Sequence, residues 1–321
     1  MSLDADLLVD RRSLRRKLSF WRVLTFLAIA VAIIAVGFLA GGRNLLNRQQ
    51  PHVARITVDG LITGDKPLLD VVRRVRTARN VQAVMVAINS PGGTTTGSEA
   101  LYNELRELAK VKPTVAVVTG SAASGAYVTA LGTERIFAPQ TAVIGSIGVI
   151  IQYPNFVKTL EMLGVKVEAV RSSPLKAQPS GVEPTLPEAR AALEATIADS
   201  YQWFKDLVKE RRALSAEELG KVADGRVFTG RQSLPLKLID EIGSEREARA
   251  WLEKDKKVAA TLRVVDYKRA SVDRFGLFSL AGIVSALGYG DLAVAISGAR
   301  QSVELQTLDG LLSVWQPPAQ N

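Results

Sequence analysis

Two mostly apolar runs, Val81–Ile88 and Pro113–Thr119, each stop at a cluster of small residues. Runs of this length and composition read as strands buried on both faces, the pattern of a parallel sheet covered by helices. The stretches around them alternate in the same sense. Ala54–Val58 is β-branched and ends at the turn pair Asp59-Gly60, and Lys66–Ala78 places Leu68, Leu69, Val72 and Val75 on one helical face. Gly97–Lys110 reads as a helix, a further helix opens around Gly125, and Arg135–Phe137 and Ala142–Ile150 read as strands. Pro154–Leu163 reads as helix, Val165–Val170 as strand, and Leu186–Arg212 as a long charged amphipathic helix. The expectation is an α/β fold of repeated βα units with a largely parallel sheet.

Before this domain the chain has a different character. Arg11, Arg12, Arg15, Arg16, Lys17 and Arg22 form a basic cluster, and Val23–Ala40 follows without a single charge. At 1.5 Å per residue that run makes roughly 27 Å of helix, close to the hydrocarbon thickness of a bilayer. Dense Arg and Lys before the run and sparse Arg43 and Arg48 after it predict a cytoplasmic N-terminus. A cleaved signal peptide is the rival. Its apolar core would be shorter, and Phe38–Gly42 fits a cleavage site weakly. The expected organisation is a basic cytoplasmic segment over 1–22, a transmembrane anchor over 23–42 and a linker over 43–54. The α/β domain over 55–269 follows on the extracytoplasmic side of the cell membrane, then a C-terminal tail over 270–321.

Composition removes several chemistries. The 321 residues include no cysteine and one histidine, His52. A cysteine nucleophile and a cysteine zinc site are therefore excluded, and no cofactor or metal is expected. A Ser-His-Asp triad would have to recruit a histidine beside the apolar run. The net charge of +9 comes without a basic stripe or aromatic platforms, so no nucleic-acid partner is expected.

Ligands of open α/β sheets bind beyond the carboxyl ends of strands. Two such ends carry Asn89-Ser90-Pro91-Gly92-Gly93 and Gly120-Ser121-Ala122-Ala123-Ser124-Gly125. Small residues let a substrate approach the backbone. The tetrahedral intermediate of acyl transfer needs two N–H donors about 3 Å from its oxyanion. The N–H groups of Gly93 and Gly125 are the candidates. Ser124 would present its hydroxyl at a helix N-terminus, where the dipole favours negative charge. With histidine so scarce, lysine is the natural base for a Ser124 nucleophile.

Five motifs then fall in one order: Asn89–Gly93, Ala122–Tyr127, Ile144–Val149, Ser172–Lys176 and Gly225–Gln232. In this order they resemble the short, single-domain form of the signal peptide peptidase A family, over Ile56 to about Gly243. That resemblance implies a Clp protease/crotonase-type core and a membrane-anchored serine peptidase with a Ser/Lys dyad. It implies Ser124 as nucleophile, Lys176 as general base and Ser146 as the serine that orients the lysine. It also implies peptide substrates, remnants of cleaved signal peptides among them. Protomers would assemble in a ring that shares its active sites, so Ser124 and Lys176 would lie apart within one chain. A lysine must be desolvated to accept a proton near neutral pH. C-terminal segments of the family can reach the active-site groove.

The chain departs from the family pattern at Ala126, Val128 and Lys237, where glycine, tyrosine and glycine are usual. Two other readings stay open at this stage. One is a catalytically silent membrane scaffold on the same fold. The other is a crotonase-type acyl-CoA enzyme, although the loops here lack the carboxylates such chemistry uses.

Overall fold

The computed structural model describes residues 49–269, together with residues 17, 20–28, 31 and 312–314. The chain divides into two units, Met1–His52 and Val53–Asn321. In the first unit residues 20–28 are helical. Among the described residues no helix is long and apolar enough to cross a membrane. Most of the Val23–Ala40 run lies outside the described residues, as does most of the tail.

β1 (His52–Asp59) begins at the last residue of the first unit and continues into the second, where α1 (Lys66–Thr77) follows. Asp65 caps α1 by accepting from the Leu68 N–H, and a proline follows in the first turn. Next come β2 (Val81–Ser90), β3 (Gly92–Thr94) and α2 (Thr95–Ala109). Then follow β4 (Thr114–Ala123), α3 (Gly125–Leu131), β5 (Arg135–Ala138) and β6 (Val143–Gly145). Beyond a lightly structured stretch containing α4 (Val157–Met162) lie α5 (Pro187–Arg212) and α6 (Ala216–Val222). The domain continues with β7 (Val227–Thr229), α7 (Gly230–Ser233), β8 (Glu241–Ile242), α8 (Glu245–Lys256) and β9 (Arg263–Tyr267). A last strand, β10, covers Leu312–Val314.

The main sheet runs β7-β6-β4-β2-β1-β9, with β5 and β8 branching from β4. β4 is its pivot. It pairs in parallel with β2 on one side, with β5 along its first half and with β6 along its second half. β6 pairs antiparallel with β7. The alternation of side chains along β2 and β4 builds two cores. Val84, Val86, Ile88, Ala116 and Val118 face the cluster shared with α1, α2 and α3. Ala83, Met85, Val115 and Val117 face the other side, where Ala248 and Leu252 of α8 cover them.

Three expectations change. The Val81–Ile88 run does not stop at the small residues: β2 continues through Ser90 and β3 begins at Gly92. Pro113–Thr119 does not end at Gly120. β4 continues to Ala123 after an irregularity opposite Ile88–Ser90, which brings it alongside β6. Val165–Val170 forms no strand. No neighbouring strand pairs with it among the described residues, and Val165, Val167 and Val170 are exposed.

Candidate active site

The far ends of β2, β4 and β6 converge on Ser124. Ser124 follows the last residue of β4 and caps α3, with φ 53° and ψ −120°. A side chain with positive φ is strained by about 1–3 kcal/mol, and such residues concentrate at functional sites. The surroundings hold it there. Its N–H donates to the Gly145 carbonyl at 2.7 Å, and its carbonyl accepts from Tyr127 and Val128 at 2.9 and 3.1 Å. Its hydroxyl donates to the Gly148 carbonyl at 3.4 Å. Ser124 is 1% exposed.

Ser146 lies one step beyond the register pair Ala123–Gly145, at the end of β6, and also has positive φ, 50°. Its N–H donates to the Arg226 carbonyl at 2.8 Å, which fixes the loop from the other side. Its hydroxyl makes no hydrogen bond among the described residues. Ser124 and Ser146 thus directly follow the paired residues Ala123 and Gly145 of two adjacent strands.

Gly125 is the first residue of α3, so its N–H precedes the first intrahelical bond. Gly93 is the middle residue of β3. Its glycine identity has a steric cause, since a Cβ would stand 1.9 Å from the Ile62 carbonyl oxygen. The Thr94 N–H bonds that same oxygen at 2.9 Å, so β3 is locked to the segment after β1. The ends of β2 and β4 are tied by Asn89, whose Oδ1 accepts from the Ser121 N–H at 3.2 Å. β10 pairs antiparallel with β3 and sets Ser313 opposite Gly93. The edge of β3 therefore accepts an extended chain.

Lys176 stands elsewhere. It is exposed, in a turn of the segment between α4 and α5, and its ammonium makes no hydrogen bond or ion pair among the described residues. Ile150, Phe156, Met162, Leu163, Val170 and Leu175, before, within and after α4, are exposed apolar side chains. One chain therefore holds a buried serine and an exposed lysine, with no hydrogen bond between them among the described residues. The Arg171–Glu183 ion pair, which closes the lysine loop at 2.8 Å, was not foreseen from the residues alone. Among the described residues no group of His, Cys, Asp and Glu is arranged to hold a metal ion.

Buried Tyr127 donates its hydroxyl to the Leu238 carbonyl at 2.8 Å, and burial pushes its phenol well above the ordinary range. It remains a neutral donor that anchors α3 behind Ser124. Lys237, at the usual glycine position, adopts φ 59° and pairs with Glu218 at 2.6 Å.

A buried serine on a strained strand-to-helix turn, with small residues on two adjoining strand ends, has the form of a serine hydrolase site. The model of peptidase family S49 matches residues 106–259. A Synechocystis protein provisionally named as a protease is 37% identical over 69% of this chain and 78% of its own length. The chain belongs to peptidase family S49 and is a serine peptidase. The chloroplastic serine protease SPPA of Arabidopsis thaliana is 30% identical, over 78% of this chain and 37% of its own length. Among solved structures, a ClpP1 variant from Listeria monocytogenes aligns with 60% of this chain and 92% of its own, at 16% identity and a TM-score of 0.38.

Proposed function

We propose that this chain is a membrane-anchored Ser/Lys endopeptidase that degrades flexible apolar peptides, cleaved signal peptides among them. Ser124 is the nucleophile. Its Oγ attacks the scissile carbonyl carbon, and its proton passes to the neutral amine of Lys176. The N–H groups of Gly93 and Gly125 receive the oxyanion. Collapse of the intermediate breaks the C–N bond, and the leaving amine takes the proton from Lys176. Water then hydrolyses the acyl-Ser124 ester by the same path. Ser146 accepts a hydrogen bond from the lysine and orients it without adding charge.

The observation that carries this reading is Ser124 itself, buried and held at positive φ where β4, β6 and α3 meet. The antiparallel edge of β3 offers an extended substrate backbone its hydrogen bonds, with the scissile carbonyl next to Gly93.

Lys176 acts from a neighbouring copy of the chain. A lysine becomes a base only when water is removed from it, and in the single chain Lys176 is exposed. The exposed apolar side chains before, within and after α4 favour a surface covered by a second copy. Packing there would desolvate the lysine and deliver it to a partner's Ser124 and Ser146. The uncharged run Val23–Ala40 would hold the assembly at the cell membrane, with the peptidase domain on the extracytoplasmic side.

Hydrolysis of an unfolded peptide by the detergent-solubilised chain tests the dyad. Ser124→Ala and Lys176→Ala should each abolish turnover. Full activity in Lys176→Ala would remove the base assignment. Inactivity of the wild type on every unfolded peptide would favour a silent scaffold.

A further inference from the structure

The loop that carries Lys176 is closed at its base by one carboxylate. Glu183 accepts from Arg171 Nη2 at 2.8 Å and from Gln178 Nε2 at 2.6 Å. The Arg171 and Glu183 side chains keep only 21% and 18% exposure, whereas the helical pair Arg190–Glu194 keeps 75% and 61%. The Arg171 hydrogen bond is the main reason that the Glu183 carboxyl is held below its ordinary range, with Gln178 contributing in the same direction. Ionised Glu183 is therefore the group around which the loop closes.

The residues over 172–177, around the lysine, are exposed. No side chain over 172–177 is buried, and the segment has neither helix nor strand. Its internal order consists of two backbone bonds, Lys176 N–H to the Ser173 carbonyl at 3.1 Å and Gln178 N–H to the Leu175 carbonyl at 3.3 Å. Ala177, directly after the lysine, sits at φ 59°. Lysine is a compact charge on a flexible four-carbon stem. A base on such a stem reaches its target reproducibly only if its backbone is fixed, and a misplacement of about 1 Å costs on the order of a hundredfold in rate.

We infer that Arg171, Glu183 and Gln178 are positioning residues for the reaction: their shared carboxylate bonds fix the loop that delivers Lys176. This rests on the reading of Lys176 as the base. The brace touches neither substrate nor the reacting atoms, so it acts on kcat rather than on KM.

The test uses the full-length chain in detergent, steady-state hydrolysis of an unfolded peptide, and light scattering to follow assembly. Glu183→Ala, Arg171→Glu and Glu183→Arg should each lower kcat by about ten- to a hundredfold, with KM changed by less than about twofold. The double variant Arg171→Glu/Glu183→Arg should recover most of the lost kcat. Gln178 assists the swap, because its Oε1 is buried without a partner and can accept from the guanidinium introduced at 183. Should Glu183→Ala fail to assemble, Glu183→Gln keeps the acceptor and should still lose kcat without losing assembly. Wild-type kcat in the single variants overturns the inference, as does an assembled charge-swap variant with no recovery. Lys176→Ala in the same assay separates the two levels. If it is active, the base assignment falls and the brace with it. If it is inactive while the brace variants turn over normally, only the brace falls.

Discussion

Ser124 and Ser146 follow the last residues of two adjacent parallel strands, and both adopt positive φ, 53° and 50°. Each is held by its own N–H, Ser124 on the Gly145 carbonyl and Ser146 on the Arg226 carbonyl. The sheet thus ends two adjacent parallel strands in buried serines held at positive φ.

The conformation of Ser124 has a measurable cost. Ser124→Gly should unfold about 1 kcal/mol less readily than Ser124→Ala, because glycine adopts positive φ without a Cβ penalty. Both variants should be inactive. Urea denaturation compares them, and equal stabilities would mean that the turn carries no strain.

Gly93→Ala should cost both activity and stability. The added Cβ would fall 1.9 Å from the Ile62 carbonyl oxygen, which is backbone and cannot turn aside. Gly230→Ala meets the Pro139 carbonyl oxygen at 2.1 Å, past the end of the β6–β7 pair away from Ser146. It should lower the melting temperature while leaving turnover per folded molecule unchanged. Turnover that falls in parallel in both variants would contradict a local role for Gly93.

The far side of the sheet should behave as ordinary core. Leu252 is fully buried against Met85, Val115 and Val117. Leu252→Ala should destabilise the domain by about 2–5 kcal/mol through lost burial and a residual cavity. A loss below about 1 kcal/mol would mean that α8 is not integral to the core.

Acid should weaken one helix start in a defined window. Glu247 closes the capping box of α8, and bonds from the Ser244 backbone and side chain lower its pKa from 4.5 to about 2. A depressed carboxyl contributes stability that is complete above its unfolded pKa. That contribution is lost as pH falls through the folded value. Stability should therefore decline between about pH 4.5 and 2, and Glu247→Gln should flatten that part of the curve. An unchanged acid limb in the variant would show that the cap does not govern it.

The sheet was legible in the sequence where burial is two-sided. The runs Val81–Ile88 and Pro113–Thr119 declare themselves as strands because both faces are covered. The extension of β4 to Ala123 was not legible, because Gly120–Ala123 has the composition of a turn and is held extended by β6. Val165–Val170 misled for the opposite reason: it alternates like a strand, yet no strand in the chain pairs with it among the described residues. Ser124 could be singled out by its small neighbours, but its positive φ is set by Gly145 and α3. Lys176 was identifiable only by resemblance. The Arg171–Glu183 pair left no periodic trace, since it joins two ends of an irregular loop.

The account depends most on a site assembled from two copies. Co-expressing Ser124→Ala and Lys176→Ala chains in equal amounts tests this, with co-assembly verified by differential tags. If each site takes its serine from one copy and its lysine from the next, random mixing should restore about a quarter of wild-type turnover. No recovery in a verified mixed assembly would place both residues in the same chain's site and contradict the account.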